Sequence, residues 1–331
     1  MDNWQFAAGT LAATVGFIGV SLMLFRRIWR AGGALRPVLV RLTISVGTLL
    51  ILFLGLEAFF GFRYVQSDGY GTTLAGQRWF HVHWNPINSL GYRDHEHDWK
   101  DDKSVFIVGD SIVAGHGVDN ISERFSGVLE RGLGEGWQVA VIAQCGWDPE
   151  QEYNGLVAHP HVPDRIIVSY YINDIENAAR AHANPPPTHL QTQPPTAVRW
   201  LVEHSYFVNW FYWRVLRGAF GTIYWDWLKD AYEDPEVLAT HAKDLDRFIA
   251  HAEKVGASIQ FVVWPNLDYI EGSLPYTDRI VALLEERNVP VLDLGRHFSG
   301  RSPGSLVVNA MDGHPNPATH AEVAQLLLQD W

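Results

Sequence analysis

The chain has 331 residues, 47% of them hydrophobic, with 14 Trp, one Cys, and 25 Lys and Arg against 37 Asp and Glu. That length supports one large domain or two small ones with a sizeable core, and the composition excludes collagen-like, disulfide-stapled and wholly disordered chains. The net charge of −12, with no cluster of Lys and Arg in the body of the chain, argues against a nucleic-acid partner, and the lone Cys145 can form neither an internal disulfide nor a thiolate metal site.

Charge and hydropathy divide together. Residues 1–65 carry six Arg against Asp2 and Glu57, net +4, which leaves −16 for the rest. No residue from Trp4 to Phe25 is charged, and Leu42 to Phe62 is interrupted only by Glu57. Both runs meet the ~20 residues that a helix needs to cross the hydrocarbon core. Segment 1–62 is therefore expected to hold two transmembrane helices, about 4–25 and 42–62. The first run lacks the basic leader and small-residue cleavage pattern of a signal peptide. Arg26, Arg27, Arg30, Arg36 and Arg41 lie between the runs, and the positive-inside rule puts that loop in the cytoplasm. The acidic body then sits on the outer, periplasmic or extracytoplasmic, face of the cell's inner membrane. Glu57 reads as a side chain reaching the outer interface rather than a buried functional carboxylate.

Residues 63–102 have no clear periodicity and read as a linker. His81 with His83 and His95 with His97 invite a metal reading, but no third ligand stands at a typical spacing, so a solvated loop without metal is expected.

From there the pattern alternates. Ser104 to Val108 is an apolar run, as in a buried parallel strand, and Asn120 with Glu123 caps a helix. Val139 to Ile142 is a strand, Glu150 to Val157 a helix, and Arg165 to Tyr171 the third strand. Asp234-Pro235 opens a long helix that runs to about Val255. Ile259 to Trp264, helix 276–288, Val289 to Leu294 and helix 318–329 complete the series. Alternating strands and helices predict an α/β layered domain over 103–331, with a parallel sheet and sites at the carboxyl ends of its strands. About 182–230 breaks the alternation. A Pro-rich loop leads into Val198 to Trp227, which holds five Trp, a helical insertion that reads as a core hairpin, an interfacial helix or a lid.

Four short segments carry the chemistry. Gly109-Asp110-Ser111 follows the first strand, where a hydroxyl is exposed beside free N–H groups. Gly146 stands just past the second strand, where a glycine lets backbone approach a ligand. Asn173 ends the third strand with Asp174 beside it, and Asp312-Gly313-His314 precedes the last helix, supplying a base and a carboxylate to orient it. Each alone reads as a turn or a cap.

Their order resembles that of the SGNH/GDSL hydrolase family, whose blocks centre on Ser, Gly, Asn and His, and the resemblance covers about residues 88–331. Asn88 to Asp94, NSLGYRD, looks like the matching segment of membrane-anchored, envelope-facing members such as polysaccharide O-acetyl esterases and O-acetyltransferases. The resemblance implies a flavodoxin-like three-layer sandwich with acyl-ester chemistry and no cofactor. It assigns Ser111 as nucleophile, His314 as general base and Asp312 as its carboxylate. Ser111, Gly146 and Asn173 form the oxyanion hole, with Asp110 and Asp174 in supporting places. The single residue between Asp312 and His314 departs from the common two and looks like the variant in polysaccharide-acetylating relatives. Tyr171, where many members have Gly, would narrow the acyl pocket. His320 is a rival base whose place inside the last helix marks it as structural.

Three functions stay open at this point. An acyl-serine resolved by water makes an esterase of envelope or exported polysaccharide, one resolved by a sugar hydroxyl makes an O-acetyltransferase, and an idle site leaves a scaffold. The resemblance also allows for a multispan acyltransferase partner.

Overall fold

The computed structural model describes residues 16, 19–21, 23, 25–30, 36–69, 71–99, 103–187, 194–216 and 221–331. Most of the first apolar run, 4–25, lies outside the described residues. Among the described residues one helix, α1 (Arg36–Phe62), is long and apolar enough to cross a membrane. It starts six residues before the second predicted run. The chain divides into two compact units, one of residues 1–66, 73–75 and 193–215, the other of 67–72, 76–192 and 216–331.

The larger unit is built on five parallel strands in the order β2-β1-β3-β4-β5. These are β1 (Lys103–Gly109), β2 (Trp137–Ala143), β3 (Arg165–Tyr171), β4 (Ser258–Trp264) and β5 (Val291–Asp293). Successive strand residues point to opposite faces, so continuous apolar runs such as Val105-Phe106-Ile107-Val108 feed two cores at once. Phe106, Val108, Ile166 and Val168 join one core, and Val105, Ile107, Ile167 and Val262 the other. The helices of the larger unit include α4 (Phe125–Leu133), α5 (Pro149–Ala158), α6 (Glu176–Ala181), α10 (Pro235–Val255), α11 (Ile270–Glu285), α12 (Leu294–Phe298) and α13 (Pro317–Gln329). Their starts follow local chemistry. Asp148 closes a capping box with Gln151, Asp234 accepts from Glu236 N and Val237 N ahead of Pro235, and Asn316 accepts from Thr319 N. The sequence-predicted α/β three-layer sandwich is what is observed.

The 63–102 segment is not a solvated linker. It forms α2 (Leu74–His83) and buries Trp79, Arg93 and Asp94. Asp94 explains why: one carboxylate oxygen accepts from Arg124 at 2.9 Å, the other from Val141 N at 2.9 Å and meets His97 Nε2 at 3.1 Å. Asp94, His95 and His97 do converge, but both carboxylate oxygens are engaged and a buried guanidinium is one of the partners.

The predicted insertion is divided between the two units. α7 (Thr196–His204) and α8 (Tyr206–Leu216) belong with α1, because Phe60 packs on Phe207 and Trp210 and Glu57 holds the start of α8. α9 (Gly221–Glu233) instead buries Leu228, Ala231 and Tyr232 in the core of the larger unit. Glu57 is correspondingly not a side chain reaching outward. It is 7% exposed and accepts hydrogen bonds from Ser205 Oγ (2.7 Å), Tyr206 N (2.7 Å) and Phe207 N (3.1 Å).

Candidate active site

Ser111, Gly146 and Asn173 emerge from the carboxyl ends of β1, β2 and β3, the three adjacent strands at which the strand order reverses. After β1 the chain must turn at once. A Cβ at Gly109 would lie 2.6 Å from Val113 Cγ2, so only glycine fits there. Asp110 then caps the four-residue helix α3 (Ser111–Ala114) by accepting from Ile112 N at 2.9 Å, and Gly115 closes it in the left-handed conformation. Gly146 has φ +76°, with open space where a Cβ would stand. Asn173 sits in a 3₁₀ turn, Ile172–Ile175, fixed by Tyr171 N donating to Asp174 Oδ2 at 3.0 Å.

The fourth segment is a strand rather than a turn. β6 (Val307–Asn309) pairs antiparallel with β7 (Asp312–Pro315), and in extended backbone residues two apart face the same side. This accounts for the short Asp-Gly-His spacing: Asp312 and His314 project together. Gly313 faces the other way, where a Cβ would collide with the Asp268 carboxylate.

The result is a continuous chain of hydrogen bonds. His314 Nε2 lies 2.8 Å from Ser111 Oγ, and His314 Nδ1 lies 2.6 Å from Asp312 Oδ1, which also accepts from His314 N at 3.0 Å. Asp312 is 1% exposed. Burial by itself would raise its pKa, but the facing His314, His116 and the Ser67 hydroxyl hold the carboxyl well below the usual carboxylate range. The carboxylate form of Asp312 is thus the one that meets His314 Nδ1. Asp110 and Asp174 move the other way. Burial raises both, and it raises Glu152, a buried acid of α5 that sequence reasoning missed, well above the ordinary value.

Further side chains surround these residues. Ser67 donates from its hydroxyl to Asp312 Oδ2, and Asn309 Nδ2 holds the Ser67 carbonyl at 3.0 Å. No motif marks a serine 245 residues from its partner. His116 stacks on His314 at 4.5 Å between centroids and on Trp79 at 5.5 Å, and burial pushes it down to about 3, so a neutral ring covers one face of the His314 imidazole. Its signal was present in the sequence, five residues after Ser111. Arg93, in the NSLGYRD segment, donates to Ala114 O, Gly115 O and Val118 O, and so clamps the loop that follows Ser111.

The rival base stands apart. His320 is fully buried, its Nδ1 accepts from Phe125 N at 3.2 Å, and its ring stacks on Phe125. Tyr171 is half-buried, with its hydroxyl accepting from Asn266 Nδ2 at 2.8 Å.

No protein-family model and no curated protein matches the chain. Among solved structures it is similar to the lipase/acylhydrolase from Enterococcus faecalis, with 14% identity and a TM-score of 0.43 over 69% of this chain and 94% of that one. It is also similar to a carbohydrate acetylesterase family member from Sinorhizobium meliloti, with 14% identity and a TM-score of 0.39 over 69% and 96%. A member of the lipolytic protein G-D-S-L family from Veillonella parvula aligns with 16% identity and a TM-score of 0.40 over 69% and 97%.

Proposed function

We propose that this chain is a serine-dependent acyl-ester hydrolase of the SGNH/GDSL type. The observation that carries the reading is the unbroken Ser111–His314–Asp312 relay, with contacts of 2.8 and 2.6 Å between the residue that follows the end of β1 and two residues within β7. In the reaction Ser111 Oγ attacks the ester carbonyl as its proton passes to His314 Nε2, and Asp312 stabilises the imidazolium. The developing oxyanion is received by the N–H groups of Ser111 and Gly146 and the Asn173 amide. His314 returns the proton to the departing alcohol oxygen, leaving an acyl-serine. Water, deprotonated by His314, then attacks that carbonyl, and Ser111 Oγ leaves with the proton.

The substrate we favour is an O-acyl group on an envelope or exported polysaccharide, reached from the outer face of the membrane that α1 crosses. The apolar α1, the arginines ahead of it and the acidic, Trp-rich body support this placement. A sugar hydroxyl in place of water would make the same site an O-acetyltransferase. The Asp312-Gly313-His314 spacing, which resembles polysaccharide-acetylating relatives, favours that second reading, and a multispan partner would supply its acyl group.

The test is fluorophosphonate labelling of the full chain, followed by p-nitrophenyl acetate turnover with and without a sugar acceptor. Labelling at Ser111 with turnover in water is the expected result; turnover only with acceptor selects the transferase. A folded chain that neither labels nor turns over any ester sinks both, and leaves the scaffold.

A further inference from the structure

The smaller unit exposes large apolar side chains on two helices beside α1. At 100° per residue, Ala197, Trp200 and Leu201 of α7 share one face, Val202 lies on its buried side, and Arg199 and Glu203 occupy a third. Trp200 is 68% exposed, and on α8 Phe211 and Val215, four residues apart, are 55% and 61% exposed. A patch of this kind on a soluble surface marks an interaction site.

Continuity with α1 identifies what covers it. Phe53 of α1 meets Phe207 at 6.2 Å, and Phe207 meets Phe211 at 6.3 Å, so an aromatic chain runs from the apolar helix into the exposed stripe. On α1 itself Leu49, Ile51 and Leu52 are each about 60% exposed, so one medium must cover both surfaces. The side chains of α7 and α8 have the composition of a membrane interface, with Trp200, Tyr206, Trp210, Tyr212 and Trp213 beside Arg199 and Arg214. Glu57 joins the elements. Ser205 caps α8 by accepting from Val208 N at 3.2 Å, while Glu57 takes the Ser205 hydroxyl and the next two N–H groups, so a residue of the apolar helix fixes where α8 begins.

We propose that α7 and α8 form an interfacial pair lying in the headgroup layer of the bilayer, clasped to the end of α1 by Glu57. The proposal rests on the reading of α1 as a membrane helix. It assigns the exposed Trp200, Leu201, Phe211 and Val215 to lipid rather than to a protein partner.

The test uses the full chain with Cys145→Ser, reconstituted in phosphatidylcholine/phosphatidylglycerol vesicles, with a fluorophore on one introduced cysteine at a time. The positions are Leu49→Cys on α1, Trp200→Cys and Phe211→Cys on the pair, and Val162→Cys as an exposed site in the larger unit. Spin-labelled lipids should quench the labels at 200 and 211 about as strongly as the label at 49, with shallow quenchers ahead of deep ones at 200 and 211 and the reverse at 49. Aqueous iodide should quench only the label at 162. Iodide quenching at 200 and 211 equal to that at 162, with 49 still reached by lipid quenchers, would overturn the proposal and leave α1 in the membrane. Protection at 200 and 211 from both kinds of quencher would overturn it in favour of a protein partner. A label at 49 beyond the reach of lipid quenchers would remove the membrane reading itself.

Discussion

Glu57 in the smaller unit and Asp312 in the larger are both buried carboxylates, and each accepts three hydrogen bonds, one of them from a serine hydroxyl. They differ in what the other two donors are. Glu57 receives main-chain N–H groups at the start of α8, so its charge compensates a helix end. Asp312 receives an imidazole Nδ1 and the N–H of the same residue, so its charge fixes the tautomer and direction of a ring whose other nitrogen faces Ser111. Burial and a full donor set therefore do not by themselves mark a chemical site. The distinction is whether a donor can pass a proton onward.

The largest test of that contrast is removal of the relay. Ser111→Ala and His314→Ala should each lower ester turnover by about 10⁶, with the double variant little worse, and Asp312→Asn by about 10⁴. Circular dichroism checks the fold of each variant. Glu57→Gln, by contrast, should leave turnover unchanged; a comparable loss there would erase the difference between the two carboxylates.

Asn173→Ala should lose about 10²–10³ in kcat if its amide meets the oxyanion. Ser67→Ala comes next, with about a tenfold fall in kcat at unchanged KM, as expected for one lost hydrogen bond to a charged group, and Ser67→Thr should restore most of it. A Ser67→Ala variant that changes only KM would place Ser67 against substrate instead of behind Asp312.

The remaining effect is on stability and leaves the rate alone. Burial pushes His320 down to about 3, whereas an unfolded imidazole titrates near 6.5. Between those values the unfolded state binds more protons, so stability is present above pH 6.5 and is lost as pH falls toward 3. From pH 7 to pH 5 this histidine should cost about 2 kcal/mol. His320→Asn, whose Oδ1 stands where Nδ1 does and keeps an acceptor for Phe125 N, should shrink the pH 7 to pH 5 difference by that amount in guanidinium unfolding, while turnover per folded molecule stays near wild type. An unchanged difference would mean that His320 is protonated in the fold, and a dead His320→Asn would revive it as the base.

Much of the larger unit was legible in order along the chain, because its elements are set by neighbours within a few residues. Arg165 to Tyr171 is the strand expected, and Asp234 with Pro235 starts the helix that ends at Val255. The Ser, Gly and Asn segments fall at the ends of the strands that precede them, since a parallel sheet brings consecutive carboxyl ends to one edge. Tertiary packing alone decided the rest. A single hydroxyl at Ser67 carries no periodicity, and its contact with Asp312 exists only once the chain ahead of the sheet folds against β7. The 63–102 segment looked polar and unpatterned because Arg93 and Asp94 are buried as hydrogen-bonded charges, which hydropathy reads as surface. Residues 198–227 look like one aromatic insertion, yet α8 goes to α1 and α9 to the sheet, because aromatic content says that side chains will be covered and leaves open by what. Glu57 shows the same limit from the other side. Its place in an apolar run was plain from the sequence, but a carboxylate's meaning lies in its partners, and those arrive from 150 residues away.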